Sequence, residues 1–134
     1  MLRPVRGLVG LVLALACVPA LACGESEPSD EEQVRAAVSA FERGVAAKDY
    51  AALCDRVLAP TLIEEVEQIG LPCEVALEQG LGEVEEPQLT VGAVKVTGDQ
   101  ATAEVRTSAT GQEPSRDTLE FQRVGEDWRI SSLG

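Results

Sequence analysis

The chain has 134 residues, a length that suits one small domain, and its 23 acidic residues outnumber the 11 basic ones. A net charge of −12 argues against nucleic acid as a partner, because nucleic-acid binding needs a basic surface. Histidine is absent, so the commonest general base is missing, and we expect neither a metal nor a cofactor.

Residues 1–22 have the organisation of a secretory signal peptide. Arg3 and Arg6 precede an apolar run that ends in small residues before Cys23. The run is short for a membrane-spanning helix, which needs roughly 20 apolar residues, and Pro19 interrupts it. We therefore predict cleavage just before Cys23.

The "ALAC" of residues 20–23 resembles the lipobox of bacterial lipoproteins, in which the cysteine receives a diacylglyceryl group and becomes the new N-terminus. The same four letters end at Cys17, which is the alternative lipidation site, and a secreted protein without lipid is a third possibility. Cys23 is preferred because a polar segment follows at once. We therefore predict a lipidated cysteine and polar tether over residues 23–29, and an extracytoplasmic domain anchored to the bacterial cell membrane.

Two further cysteines, Cys54 and Cys73, follow the predicted anchor. In an oxidising compartment such a pair predicts one disulfide, which would close a loop of about 20 residues and contribute about 3 kcal/mol. Two cysteines without histidine do not supply the four ligands of a structural zinc site.

Residues 30–134 form the predicted domain, which is helical in its first half. Ser29 and Glu32 predict a capping box for the first helix, and Asp49 predicts the N-cap of a second helix that ends at Pro60. The apolar stripe of the first helix, with helical spacing, consists of Val34, Ala37, Val38, Phe41 and Val45.

Two shorter helices are predicted next. Thr61 and Glu64 indicate a second capping box, and Gly70 marks the end of that helix. The side chains that this helix is expected to bury are Leu62, Ile63, Val66 and Ile69. The last helix is expected to start with Pro72 in its first turn and to end at Gly80.

From Leu89 onward the apolar period changes to two, which predicts strands. The alternation shifts by one residue at Gly92-Ala93, which predicts a β-bulge. Gly98-Asp99 has the character of a two-residue hairpin turn, which would place Val96 opposite Ala101.

A second hairpin is predicted about Gly125-Glu126, which pairs Phe121 with Ile130 and Arg123 with Trp128. One apolar face then carries Leu119, Phe121, Trp128 and Ile130. Helices followed by about four antiparallel strands that curve indicate an α+β fold.

This order of elements, with "EEQVRAAVSAFERGVAAKDYAALCDRVLAPTLIEEV" at 31–66 and "LEFQRVGEDWRISSL" at 119–133, resembles the nuclear transport factor 2-like superfamily, especially its small bacterial secreted and lipoprotein members. The resemblance implies helices packed across a curved sheet around a cone-shaped pocket. Members include ketosteroid isomerases, polyketide cyclases and dehydratases, and others that only bind ligands or partners. Homodimers formed through the sheet face are common in the superfamily, so one is possible for this chain.

The resemblance does not supply a catalytic set. Its enzymatic members use an acid inside the cone, often with a tyrosine or a histidine. Here the single tyrosine, Tyr50, is expected to pack the second helix, Asp49 to cap it, and Glu120 to face solvent by strand parity. Asp117 shares the parity of the apolar face and lies at the mouth of the strand, which makes it the least implausible catalytic acid. We predict no catalytic residue and no enzymatic activity.

Arg123, Trp128 and Phe121 are the predicted ligand-binding residues. In one interpretation the Arg123 guanidinium fixes an anionic ligand at the pocket mouth, with Trp128 as a wall. In the simpler interpretation, which we favour, the arginine stem packs on the indole and its head lies in water.

Three functions remain in competition. We predict a non-enzymatic domain of the cell envelope that binds a small apolar molecule or another envelope protein. The alternatives are an isomerase or cyclase-like enzyme, and a structural assembly module whose cone is filled. A void large enough for a ligand would argue against the filled module, and a buried acid in that void would favour the enzyme.

Overall fold

The computed structural model describes residues 26–134, so the predicted signal peptide, Cys23 and the alternative Cys17 lie outside the described residues. The helical elements are α1 (Asp30–Ala47), α2 (Tyr50–Ala52), which continues into a π-helical turn (Leu53–Val57), α3 (Pro60–Gln68) and α4 (Cys73–Leu81). The strands are β1 (Gln88–Thr97), β2 (Gln100–Ser108), β3 (Ser115–Val124) and β4 (Asp127–Ser132). Within residues 26–134, no helix combines the length and the apolar character needed to cross a membrane.

The four strands form one antiparallel sheet in the order β1-β2-β3-β4, which confirms the predicted α+β architecture. Val96 pairs with Ala101, and Arg123 pairs with Trp128, as the turn residues predicted. The register shifts between Val91 and Val94, where the bulge was predicted. The two hairpin turns, at 98–99 and 125–126, lie at the same end of the sheet, which we call the hairpin end.

Helix α1 crosses the sheet from the hairpin end to the opposite end. The predicted capping box is present, since Ser29 Oγ accepts from the Glu32 backbone N–H at 3.2 Å and Glu32 Oε2 accepts from the Ser29 N–H at 2.8 Å. Further along, the Arg35 guanidinium donates to the Gly92 carbonyl at 3.0 Å, and Glu42 accepts from the Leu89 N–H at 2.6 Å. The residues of the predicted stripe are all buried: Val34, Ala37, Val38, Phe41 and Val45.

The second helical segment is shorter than predicted. Asp49 caps α2 by accepting from the Ala52 N–H at 3.1 Å, but the helix widens into the π-helical turn and stops at Val57. Leu58 then forms a parallel bridge with Ile130, and the Ala59 N–H donates to the Ile130 carbonyl at 2.7 Å. These bonds to β4 hold residues 58–59 extended, so the helix cannot continue to Pro60.

The predicted capping box of α3 is wrong. The N-cap is Ala59, without a side-chain cap, and Pro60 occupies the first turn. The Thr61 hydroxyl donates instead to Gln122 Oε1 at 3.0 Å. The bonds between 58–59 and β4 move the start of the helix toward the N-terminus, so Thr61 lies inside it.

The predicted burial of α3 is also wrong, because none of its residues is fully buried. Leu62, Ile63 and Val66 are half-buried, and Ile69 is 75% exposed. The helix packs on β4 and α4 at the edge of the sheet, so only part of its apolar stripe finds a neighbour.

The predicted disulfide is present: Cys54 of the π-helical turn is bonded to Cys73 of α4, with their Cα atoms 6.2 Å apart. The bounds of α4 differ slightly from the prediction, since Pro72 is the N-cap rather than a first-turn residue and Gly82, not Gly80, ends the helix. Cys73 and Leu77 face the core between helices and sheet. The disulfide therefore links the π-helical turn to α4 on the side that faces the core.

Candidate functional site

Of the three predicted ligand-binding residues, Arg123 and Trp128 form a pair at the hairpin end, whereas Phe121 lies in the core. Arg123 of β3 lies opposite Trp128 of β4, and the guanidinium carbon is 4.6 Å from the centroid of the indole. Phe121 is 1% exposed and belongs to the core, as does Trp128 at 4%. The packing of the arginine on the indole agrees with the simpler interpretation of the pair, but the solvated head that it predicted is wrong, because the guanidinium itself stacks on the ring and is bound by carboxylates.

The head of Arg123 is bound by two carboxylates, which the sequence did not predict. Its Nη2 donates to Asp30 Oδ1 at 2.9 Å, and its Nε donates to Asp99 Oδ1 at 3.2 Å. The Arg123 side chain is only 28% exposed. These contacts join the first residue of α1 to the turn between β1 and β2. An anionic ligand at Arg123 would have to compete with both carboxylates.

Asp30 is the centre of this cluster. The Trp128 indole N–H donates to Asp30 Oδ1 at 3.1 Å, the same oxygen that Arg123 contacts. The indole bond first, and the Arg123 bond second, hold the pKa of Asp30 below its ordinary value. The surface beside it carries further carboxylates from Glu27, Glu126 and Asp127. The bonds of Asp30 to Arg123 and Trp128 hold the start of α1 against the sheet, within an acidic surface.

A different site lies at the opposite end of the sheet, where α1 ends and β1 and β3 begin. It is a half-open cavity of about 340 Å³ between the helices and the concave face of the sheet. We call it the cone mouth. Its lining residues include Phe41, Val45, Leu81, Val84, Pro87, Leu89, Thr107, Ala109, Gln112, Asp117, Leu119 and Leu133.

Most of this lining is apolar and comes from several separate segments. Phe41 and Leu119 are buried at the inner side, while Leu81, Val84 and Leu89 are half-buried and cover the sides. Such an arrangement of aliphatic and aromatic walls with few polar groups is typical of small-molecule pockets. Strand parity indicated Leu119, but the loop residues could not be assigned to a pocket before their positions in space were known.

Among residues 26–134, Asp117 is the only charged residue that lines the cone mouth. It is exposed, and its Oδ2 accepts from the Ser115 hydroxyl at 2.7 Å. It therefore lies at the rim of the cavity, as its position near the start of β3 predicted, and not in the buried interior. Of the other acids considered, Asp49 caps α2 and Glu120 is exposed.

No protein-family model matches the sequence, and no curated protein matches it. Among solved structures, a de novo designed NTF2 fold protein (NTF2, nuclear transport factor 2) is similar with a TM-score of 0.52 and 17% identity, over 80% of this chain and 87% of that one. An NTF2-like protein of unknown function from Shewanella baltica is similar with a TM-score of 0.56 and 11% identity, over 78% of this chain and 92% of that one.

At such low identities these structures establish the fold alone. The domain has the nuclear transport factor 2-like fold, which confirms the architecture implied by the sequence resemblance.

Proposed function

We propose that this protein is a non-enzymatic binding domain that takes a small apolar molecule into the cone mouth, and that a lipid on Cys23 anchors it in the bacterial cell envelope. The observation that carries the ligand-binding part is the half-open apolar cavity of about 340 Å³. Ligand pockets occupy about 300–1,000 Å³, so the cavity suits a ligand at the small end of that range.

Two features support binding without catalysis. Asp117, the only acid among residues 26–134 that lines the cavity, is exposed at the rim and bonded to Ser115, whereas a catalytic acid of the enzyme hypothesis would lie inside the cone. The chain also lacks histidine, and its only tyrosine, Tyr50, is not among the lining residues.

The envelope location is supported by the sequence. Residues 1–22 have the pattern of a signal peptide, "ALAC" at 20–23 resembles a lipobox, and the two cysteines of the domain are bonded to each other, as suits an oxidising compartment. We expect Cys23→Ser to move the protein from the membrane fraction to the soluble extracytoplasmic fraction. Membrane attachment that persists in this variant and is lost in Cys17→Ser would assign the lipid to Cys17.

Ligand binding can be tested with a neutral fluorescent probe, N-phenyl-1-naphthylamine, titrated into the purified protein. We expect saturable binding that Ala109→Phe abolishes, because the added ring enters the cavity. Ala36→Phe is the matched control, since Ala36 is exposed on α1 and does not line the cavity. Absence of probe binding to the unmodified protein, or equal losses in both variants, would contradict a small-molecule site at the cone mouth.

Binding of another envelope protein is the second candidate, and one observation favours it. Ile69, at the end of α3, is 75% exposed, and the apolar stripe of that helix is only half covered. A photo-crosslinking residue at position 69 should then form one discrete adduct in intact cells, while a residue at position 36 forms none. Diffuse or absent adducts at both positions would contradict this candidate.

A further inference from the structure

The charges around the cone mouth define the chemistry of its ligand more closely than the apolar lining does. We propose that the ligand is a cationic amphiphile, with a short apolar body in the cavity and a protonated amine or quaternary ammonium group at Asp117. This inference rests on the proposed ligand-binding function of the cone mouth.

Asp117 is placed to meet such a head group. It is the only charged residue of the cavity lining, and within residues 26–134 its carboxylate forms no ion pair. Its bond to the Ser115 hydroxyl uses Oδ2 and fixes the carboxylate at the rim. A cation bound there would be partly shielded from water by the apolar walls, which strengthens the attraction compared with open solvent.

The rim of the cavity adds to the negative potential. The loops that supply lining residues Val84, Pro87 and Gln112 also carry four exposed carboxylates: Glu83, Glu85, Glu86 and Glu113. A rim with one sign of charge concentrates ligands of the opposite sign and accelerates their association. These carboxylates disfavour an anionic amphiphile at this cavity.

The nearby basic residues do not reverse this potential. Lys48 is paired with Glu85 at 3.3 Å and also donates to the Gly82 carbonyl, so this pair adds little net charge, and the negative potential of the rim comes from Glu83, Glu86 and Glu113. Arg116 precedes Asp117 on β3, where side chains alternate, and it pairs across the sheet with Arg106. Neither Lys48 nor Arg116 lines the cone mouth.

A competition experiment with three ligands of equal chain length separates charge from apolarity. The assay measures how much of each ligand (octylamine, octanol or octanoate) is needed to displace N-phenyl-1-naphthylamine from the purified protein. It is performed at pH 7, where the amine is protonated, and at low ionic strength. We expect octylamine to be the strongest competitor and octanoate the weakest. Added salt should reduce the difference between them.

The variant Asp117→Asn keeps an oxygen that can accept from Ser115 but removes the charge. It should raise the octylamine concentration needed for half displacement about threefold to fivefold and leave octanol unchanged, as expected for one partly exposed ion pair. Glu120→Gln is the matched control, because Glu120 lies on the same strand, is exposed and does not line the cavity. Urea unfolding of both variants verifies that they remain folded.

The outcomes distinguish this inference from the function on which it rests. Equal competition by the three ligands, a preference for octanoate, or the same effect in Asp117→Asn and Glu120→Gln would overturn the cationic ligand while leaving an apolar site. If neither the probe nor any competitor binds, the proposed function fails and the inference fails with it.

Discussion

Gly44 of α1 provides a sharp test of how closely the helices pack. A Cβ atom built on Gly44 would overlap the side chain of Leu53, lying 2.7 Å from its Cγ and nearer still to its Cδ2. Leu53 is fully buried in the π-helical turn, so it cannot rotate freely out of the way. Gly44→Ala should therefore force a shift of Leu53 or of α1 itself.

Two opposing contributions set the size of this effect. Overpacking a core costs about 1–3 kcal/mol, while alanine in place of glycine inside a helix gains about 0.5–1 kcal/mol. The difference spans about 0–2.5 kcal/mol, and because Leu53 is fully buried we expect Gly44→Ala to lower the free energy of unfolding by an amount in the middle of that range, about 1–2 kcal/mol. Gly80 of α4 is the matched control, because a Cβ there would meet no atom within 4 Å. Gly80→Ala should raise the free energy of unfolding by about 0.5–1 kcal/mol.

Urea unfolding followed by the fluorescence of Trp128, the only tryptophan, measures both effects. Trp128 is 4% exposed in the folded protein, so its emission should shift to longer wavelength on unfolding. With a slope of about 1–3 kcal/mol per molar urea, the two midpoints should move measurably in opposite directions. A midpoint for Gly44→Ala equal to or above that of the unmodified protein would refute the close approach of α1 to Leu53.

Two further predictions concern the stability of the domain. Cys54→Ser should lower the free energy of unfolding by about 2–4 kcal/mol through loss of the disulfide, and an unchanged urea midpoint would contradict this. Asp30→Asn should destabilise the protein at pH 7, and the difference should shrink as the pH falls below about 4. The pKa of Asp30 is lowered in the folded state, so its contribution is present above the unfolded value and lost as the pH falls through the folded one. A difference in urea midpoint that stays constant from pH 7 to pH 3 would contradict the role of the Asp30 charge.

The sheet was predictable because its determinants are local. Glycine at 98 and 125 placed the turns, and side-chain alternation from each turn then fixed the partners of Val96 and Arg123. The phase shift at Gly92 marked the bulge in the same way. The capping box at Ser29 also depends on residues three positions apart.

The failures all depend on contacts between distant parts of the chain. The start of α3 follows from the bonds of residues 58–59 to β4, which no local pattern reveals. The exposure of Ile69 follows from the position of α3 at the edge of the sheet. Asp30 binds Arg123 although the two residues are 93 positions apart in the sequence. The residues next to Arg123 in the sequence give no sign that Asp30 is its partner.

The cone mouth could be predicted from the sequence only in part. Strand parity placed Asp117 and Leu119 on the concave side before the structure was known, because parity is local. The other walls, such as Val84 and Ala109, belong to loops without a repeating pattern, and their convergence depends on the curvature of the whole sheet.

The direction of α1 determines which way the cavity would point in the cell. The helix begins at the hairpin end, next to residues 24–29, and Phe41 and Val45 reach the cone mouth about 16–23 Å further along its axis. If Cys23 carries the lipid, those six residues allow a gap of at most about 20 Å between bilayer and domain. The domain would then be attached by its hairpin end, with the cone mouth at the end of the sheet away from the tether. A ligand would arrive from the aqueous side of the envelope, and its concentration in water would govern occupancy more than its partition into lipid.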